Sequence, residues 1–190
     1  MDMKYHITIF SSLISLMVGS AVLAGNDQEE LDLGLYAIGQ SGLSVSKALA
    51  QVEAEVPGIV YEYELDEGED GLVHEFDVVD LKRERKIKAS VNIETGELTV
   101  EEERYDFGWF VKDDEDAVTA LALQDAQFSL GEAIAVQPLM DGQLLLEIEL
   151  EEKQGLRYFE FEALAADGEI EWLIDIQGKQ IIPTLTRHVE

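Results

Sequence analysis

The residues with the most scope for chemistry are carboxylates, and their densest run is YEYELDEGEDG, residues 61–71. Six of its first ten residues are Asp or Glu, and the run ends at a glycine. Counted from Asp66, an EF-hand loop needs acids or amides at positions 1, 3 and 5, glycine at 6 and glutamate at 12. Positions 1, 5 and 6 fit, but position 3 is Gly68 and position 12 is Asp77. The run therefore predicts a solvated hairpin with weak divalent cation binding, and no specific metal site.

Hydrolytic chemistry lacks its parts in this chain. There are three histidines, no cysteine, and neither a GxSxG nor an HExxH motif, so serine-triad and zinc-protease sites are not indicated. His74 shares a predicted strand face with Phe76 and Val78, which is typical of a histidine whose hydrogen bonds are satisfied at the edge of a core. Carboxylate pairs occur throughout, and spacing alone does not single out an acid–base pair. The sequence predicts a protein that is not an enzyme, with no catalytic residues and no cofactor.

Composition limits the partners. The chain has 190 residues, 41 acidic against 13 basic, a formal net charge of −28 and 46% hydrophobic residues. This hydrophobic content is sufficient for a folded core, so a disordered acidic chain is not indicated. The negative field repels nucleic acid and anionic membrane surfaces and favours cations and basic protein surfaces.

The N-terminal segment resembles a secretory signal. Lys4 precedes an apolar run over residues 7–24, which ends in the small-residue pattern Val22-Leu23-Ala24. We expect a signal peptide cleaved after Ala24, hence a periplasmic or secreted protein without stable membrane insertion after cleavage. The alternative is a retained anchor, since roughly 18 apolar residues can span a bilayer. Because the chain has no cysteine, neither disulfides nor a lipidated N-terminal cysteine is expected.

The sequence also contains an internal repeat. LSVSKA at residues 43–48 corresponds to FSLGEA at residues 128–133, an offset of 85, and the same offset relates the alternating segments YEYEL and LLEIEL. The matches continue through two later strands, where the offset becomes 83. Four segments in the same order predict a duplicated module of about sixty residues.

Each copy has the same predicted plan. Ser44 can cap a helix whose apolar positions repeat at i, i+3, i+4 and i+7, and Pro57-Gly58 ends it. Ser129 and Glu132 have capping-box spacing in the second copy. Segments of alternating polarity follow, which predicts an antiparallel meander. The fold class is therefore α+β, with two repeated modules that are each a helix packed on a small antiparallel sheet.

These segments resemble the PepSY domain. The residues that carry the resemblance are SVSKALAQVEAEVPG, YEYEL, GLVHEFDVV and VNIETGEL in the first copy, and SLGEAIAVQPLMDG, LLEIEL, GLRYFEFEAL and IDIQGKQI in the second. The first copy departs from the pattern at His74, where an aromatic residue is usual, and the second lacks the Pro-Gly and Thr-Gly turns. The resemblance implies a secreted or periplasmic module, in some members part of a peptidase propeptide, that modulates peptidases and has no catalytic apparatus.

The predicted organisation follows from these segments. It comprises a signal peptide (1–24), an N-terminal segment (25–42), a first PepSY-like module (43–103), an aromatic and acidic linker with a short helix (104–127) and a second module (128–190). The function this favours is an exported, non-enzymatic binding module that modulates or inhibits a partner protein such as a peptidase. The alternative is an acidic cation-binding or structural envelope protein.

Two further features are candidate partner-binding surfaces. One is a basic cluster at a predicted hairpin: Lys82, Arg83, Arg85, Lys86 and Lys88. It either docks an acidic surface or offsets neighbouring acids within the chain. The other is a set of linker aromatics: Tyr105, Phe107, Trp109 and Phe110. They either bind a peptide or fill the seam between packed modules.

Overall fold

A computed structural model of the chain describes residues 26–104 and 114–183. Within these ranges the elements are α1 (Asn26–Ser41), α2 (Val45–Glu55), β1 (Ile59–Gly68), β2 (Gly71–Asp80), β3 (Arg85–Asn92), β4 (Leu98–Arg104), α3 (Glu115–Ala126), α4 (Leu130–Val136), β5 (Leu144–Lys153), β6 (Leu156–Ala165), β7 (Gly168–Asp175) and β8 (Gln180–Ile182). We refer to residues 26–104 as the first half and to residues 114–183 as the second half. Each half has two helices followed by four strands.

All eight strands form one antiparallel sheet in the order β4-β3-β2-β1-β5-β6-β7-β8. The α+β class predicted from the sequence is confirmed. The two meanders are joined edge to edge at the centre of the sheet, where β1 pairs with β5 through Tyr63↔Ile148 and Glu64↔Glu147. We call this junction the seam.

The helix α2 forms because its apolar residues recur on one face. Val45, Ala48, Leu49 and Val52 are buried, which is the i, i+3, i+4, i+7 spacing of an amphipathic helix. The chain then turns at Gly58, whose φ of +144° is unfavourable for other residues. A Cβ there would lie 2.6 Å from a Val78 methyl carbon, so no side chain fits between the turn and β2.

The two predicted helix caps differ in the structure. Ser129 and Glu132 form the expected capping box at α4, in which the Glu132 amide donates to Ser129 Oγ at 3.1 Å and the Ser129 amide donates to Glu132 Oε2 at 2.8 Å. Ser44 occupies the N-cap position of α2, but its side chain makes no cap hydrogen bond. The spacing that includes Glu132 was therefore the more informative of the two signals.

The first helix of each half packs on the strands of the other half. α1 contacts β5 and β6, where Leu31 joins Leu144 and Leu164 in a small buried cluster. α3 contacts β1 and β2. Residues 25–42 carried no motif in the sequence, so α1 and this exchange are new in the structure. Each half is consequently held by an element of the other.

A single large core unites the two halves. Its buried side chains come from α2, α3 and α4 and from strands on both sides of the seam. The largest of its fully buried side chains include Tyr63, Phe76, Phe159 and Phe161. Among the described residues, no helix is both long and apolar enough to cross a membrane.

Candidate functional site

The surface with the strongest chemical character is one face of the sheet. Side chains alternate between the two faces along each strand. Tyr63, Phe76 and Phe161 are buried in the core, so the residues directly before and after each of them in the strand point away from the core. Cross-strand pairing places these carboxylates on that side, and we call the surface they form the acidic face: Glu62, Glu64, Glu75, Asp77, Glu147, Glu149, Glu160, Glu162, Glu169 and Glu171. The acids of the alternating segments YEYEL and LLEIEL thus belong to one surface that extends across both halves.

The acidic face is most crowded at the seam. One carboxylate oxygen from each of Glu62, Glu147 and Glu149 lies within 4.8 Å of the others. Burial, a hydrogen bond with Glu149 and repulsion from that carboxylate raise the pKa of Glu147 to about 8. Burial and repulsion by Asp77 and Glu149 raise the pKa of Glu62 to about 7. These groups hold protons more tightly than isolated carboxylates do.

Two lysines of the first half form ion pairs, one with Glu75 of the acidic face and one with acids at the start of α3. Lys88 Nζ forms an ion pair with Glu75 Oε1, and Ser90 Oγ donates to Glu75 Oε2 at 3.2 Å. Lys86 Nζ lies 3.0 Å from Asp114 Oδ2 and 2.5 Å from Asp116 Oδ2, which ties β3 to the start of α3. Asp114 also caps α3, since the Ala117 amide donates to its Oδ1 at 3.0 Å. From the sequence, these acids were placed in the acidic linker with its short helix.

The crowding at the seam predicts a pH-dependent stability. Because the folded-state pKa values of Glu147 and Glu62 are raised, their contribution is fully present below the unfolded pKa of about 4.5 and is lost as pH rises through about 7 to 8. We expect the free energy of unfolding to fall by about 1 kcal/mol per group between pH 5 and pH 9, after allowance for solvent screening. Urea unfolding at several pH values measures this.

A matched pair of variants assigns the effect to the seam. Glu147→Gln should flatten the dependence of the unfolding free energy on pH between pH 7 and pH 9, because it removes the carboxyl group whose pKa is about 8. Glu151→Gln changes an exposed residue on the same strand and should leave the slope unchanged. If both variants keep the wild-type slope, the seam is not its source.

The basic cluster is largely paired within the chain. Arg83 Nη1 lies 3.2 Å from Asp80 Oδ2, and Arg85 pairs with Glu102 across β3 and β4. Lys86 and Lys88 make the pairs described above, while the backbone amide of Lys82 donates to Asp80 Oδ1 at 3.0 Å. Four of the five cationic side chains thus already have acidic partners, which is the arrangement expected of a cluster that offsets neighbouring acids. Docking of an acidic partner there stays a prediction.

His74 is buried and hydrogen-bonded at both ring nitrogens. It is 1% exposed, with Nδ1 3.0 Å from the Tyr63 hydroxyl and Nε2 3.1 Å from the Leu43 carbonyl oxygen. Burial lowers the pKa of the imidazole, against a smaller opposing effect of the Leu43 hydrogen bond. The interpretation of His74 as a satisfied core histidine is confirmed, and in this environment the ring is inaccessible to a substrate.

The remaining candidates fall into two groups. The residues with EF-hand spacing do not come together as one calcium loop. Asp66 pairs with Val73 near the end of the hairpin, while Asp77 pairs with Glu62 further along the strand. The linker aromatics Tyr105, Phe107, Trp109 and Phe110 lie outside the described residues. Their role as a partner-binding patch stays a prediction.

The acidic face therefore supports binding chemistry. It offers clustered carboxylates on a rigid sheet, which attract cations and basic groups, and the one histidine within the described ranges is enclosed in the core.

Comparison with known protein families finds one domain match within the chain. The PepSY family model, described as "Peptidase propeptide and YPEB domain", matches residues 42–99. No curated protein shows significant similarity to the sequence. Among solved structures, a protein of Clostridium difficile 630 described as a "putative lipoprotein" aligns at 13% identity over 73% of this chain and 89% of that chain, with a TM-score of 0.39. A TM-score this low does not establish a shared fold. The family match covers α2, β1, β2, β3 and the start of β4. A PepSY domain is therefore found at residues 42–99.

Proposed function

We propose that the chain is an exported, non-enzymatic module that binds a partner protein and modulates it, with a peptidase as the class of partner. The observation that carries this proposal is the PepSY match at residues 42–99, because that family is described by its occurrence in peptidase propeptides. PepSY domains are generally non-catalytic. The charged sheet face supports a binding role, since it offers a broad anionic surface on a rigid scaffold.

We also infer that residues 128–183 are a second PepSY-like module. The positions of the elements support this, because α2, β1 and β2 each begin 85 residues before α4, β5 and β6. The β1–β2 and β5–β6 registers shift at corresponding places, between Val60 and Glu62 and between Leu145 and Glu147. A shared irregularity is more specific than shared strand lengths, because bulges are retained within families.

Export is proposed from the N-terminal sequence. The apolar run at residues 7–24 and the Val22-Leu23-Ala24 pattern support secretion with cleavage after Ala24. N-terminal sequencing of the protein recovered from the cell envelope or medium tests this, with Gly25 as the expected first residue. Recovery with Met1 retained would favour the membrane-anchor alternative.

Affinity capture tests the proposed function. The chain, immobilised through its C terminus, is exposed to an envelope extract, and captured peptidases are identified and assayed with and without added chain. We expect at least one peptidase to be retained and its rate on a protein substrate to change. Heat-denatured chain on the same support is the control. Capture of no peptidase beyond that control would argue against the proposal.

A second candidate function is an acidic cation-binding or structural envelope protein. The close approach of Glu62, Glu147 and Glu149, within 4.8 Å, is the observation that favours it. Calorimetric titration with calcium at physiological salt separates the two functions. Saturable heat that disappears in Glu147→Gln would favour the cation-binding protein, whereas weak and salt-sensitive heat would disfavour it.

A further inference from the structure

We propose that the part of the acidic face formed by Glu160, Glu162 and Glu171 binds a lysine- or arginine-rich segment of a partner protein. The proposal rests on the proposed binding function and adds the chemistry of the segment that is bound. It follows from a charge reversal between the two halves of the sheet.

The charge reversal is found when the cross-strand pairs of β2 and β3 are compared with the equivalent pairs of β6 and β7. In the first half, Asp77 stands directly opposite Lys88. In the second half, the residues at the corresponding places are Glu162 and Glu171, which also stand directly opposite one another. Opposite charges in such a cross-strand pair stabilise a sheet, and like charges destabilise it. The same position of the same fold thus contains an attractive pair in one half and a repulsive pair in the other.

Glu160, the next carboxylate on the same face of β6, also differs from its counterpart in the first half. Glu75 receives the Lys88 ammonium and the Ser90 hydroxyl in the first half. Its counterpart Glu160 faces Leu173 across the strand pair, where Glu75 faces Ser90. The positions equivalent to the two donors are Glu171 and Leu173, and neither side chain can donate to Glu160 as Lys88 and Ser90 do to Glu75.

The three carboxylates of the second half are close together, and no described lysine or arginine forms an ion pair with them. One oxygen from each lies within 4.8 Å of the others. In the described part of the chain, the ion pairs of Lys and Arg side chains include none with Glu160, Glu162 or Glu171. Burial and mutual repulsion raise the pKa of Glu160 and of Glu162. The local arrangement is complementary to an ammonium or guanidinium group supplied from outside.

The extent of the surface favours a polypeptide as the source of that group. The carboxylates continue from β6 onto β5 through Glu147 and Glu149, so several cationic groups are needed to balance them. Glu160 and Glu162 are two residues apart on one strand face, a spacing of about 6.6 Å. An extended segment with basic residues at alternate positions presents its cations at the same interval. The first half already contains such a segment in Lys86 and Lys88 of β3.

Peptide binding tests the proposal without any peptidase. The probe is the capped peptide Lys-Thr-Lys-Thr-Lys-Thr-Lys, titrated into the full chain at low and physiological salt. The Glu160→Gln/Glu171→Gln variant should bind the probe roughly tenfold more weakly than wild type, since each of the two partly exposed charge pairs contributes on the order of threefold. The control Glu94→Gln/Glu97→Gln removes the same charge from an exposed turn of the first half and should stay within about twofold of wild type.

Two outcomes would overturn the proposal. Equal binding by wild type and the Glu160→Gln/Glu171→Gln variant would show that the net charge of −28, and not this surface, attracts the peptide. Calcium chloride binding that the double variant abolishes, together with no peptide binding, would assign the surface to a divalent cation. Peptide binding that depends on Glu160 and Glu171, together with no captured peptidase, would support the peptide-binding surface and argue against the proposed peptidase modulation. The two proposals can therefore fail separately.

A charge restoration provides an independent test. Glu171→Lys recreates the Lys88 arrangement of the first half and should raise Tm by about 2–4 °C relative to the control Glu94→Lys, which has the same change in net charge. The same variant should lose binding of the lysine peptide. A Tm equal to or below that of Glu94→Lys would contradict the inference that no described lysine or arginine pairs with these carboxylates.

Discussion

Replacing Phe161 with alanine is expected to lower the free energy of unfolding by about 3–5 kcal/mol. The side chain is 1% exposed, its ring stacks on Trp172 with centroids 5.0 Å apart, and it meets Phe159 edge-on at 6.5 Å. Truncation removes both aromatic contacts and leaves a cavity that the paired strands β5, β6 and β7 are too constrained to close. Urea unfolding followed by far-ultraviolet circular dichroism measures the loss.

The equivalent variant of the first half makes this a test of the shared core. Phe76 is fully buried and packs against Tyr63 with ring centroids 5.3 Å apart. Because both halves contribute to one core and exchange their first helices, Phe76→Ala and Phe161→Ala should each shift one cooperative transition. Leu156→Ala, at an exposed hairpin position, should change stability by less than about 0.5 kcal/mol. Two separate transitions in either core variant would contradict the single-core account.

His74→Phe is expected to cost about 1–3 kcal/mol at pH 8. Phenylalanine occupies the equivalent position of the second half, Phe159, so the ring itself suits the fold. The cost arises because the Leu43 carbonyl loses its donor and the Tyr63 hydroxyl loses its closest partner, leaving the Leu145 carbonyl oxygen at 3.5 Å. Thermal or urea unfolding of wild type and variant measures the difference.

The pH dependence of that difference identifies the imidazole as its source. Burial lowers the folded-state pKa of His74, so its contribution is fully present above the unfolded pKa of about 6.5 and is lost as pH falls below it. His74→Phe has no such loss, and its deficit relative to wild type should shrink between pH 7 and pH 5. Tyr63→Phe/His74→Phe should cost less than the sum of the single changes, because it leaves no orphaned hydroxyl. A deficit that does not depend on pH would contradict this role for His74.

Local patterns predicted the individual elements well. Alternation in YEYEL and LLEIEL predicted β1 and β5, and the Ser129 and Glu132 spacing predicted the start of α4. The burial of His74 followed from its apolar neighbours on the same strand face. These features depend on residues within a few positions of each other, which is the range over which side-chain periodicity is informative.

Features set by long-range contacts could not be predicted in the same way. In α1, Leu31 packs on Leu144 and Leu164, which lie more than a hundred residues away in the sequence. No local sequence pattern therefore predicted this helix. The bulges near Tyr61 and Leu146 shift the register by one residue, which alternation alone does not reveal.

The residues of the acidic face could be identified from the sequence, but their cross-strand pairing could not. Its glutamates stood out as the polar side of alternating strands, and the offsets of 85 and 83 placed the two halves in correspondence. The repulsive pair Glu162 and Glu171 appeared only once the β6–β7 register was known, because the two residues lie on different strands. The basic cluster, conversely, looked available in the sequence and is largely paired in the fold.

The claim that the chain modulates a peptidase by binding is tested most directly by titrating the chain into a captured peptidase and following hydrolysis of a protein substrate. We predict a saturable change in rate while the chain itself stays intact, with a weaker response to the Glu160→Gln/Glu171→Gln variant. An unchanged rate at saturating chain, or a change that only reflects hydrolysis of the chain as a competing substrate, would contradict that claim.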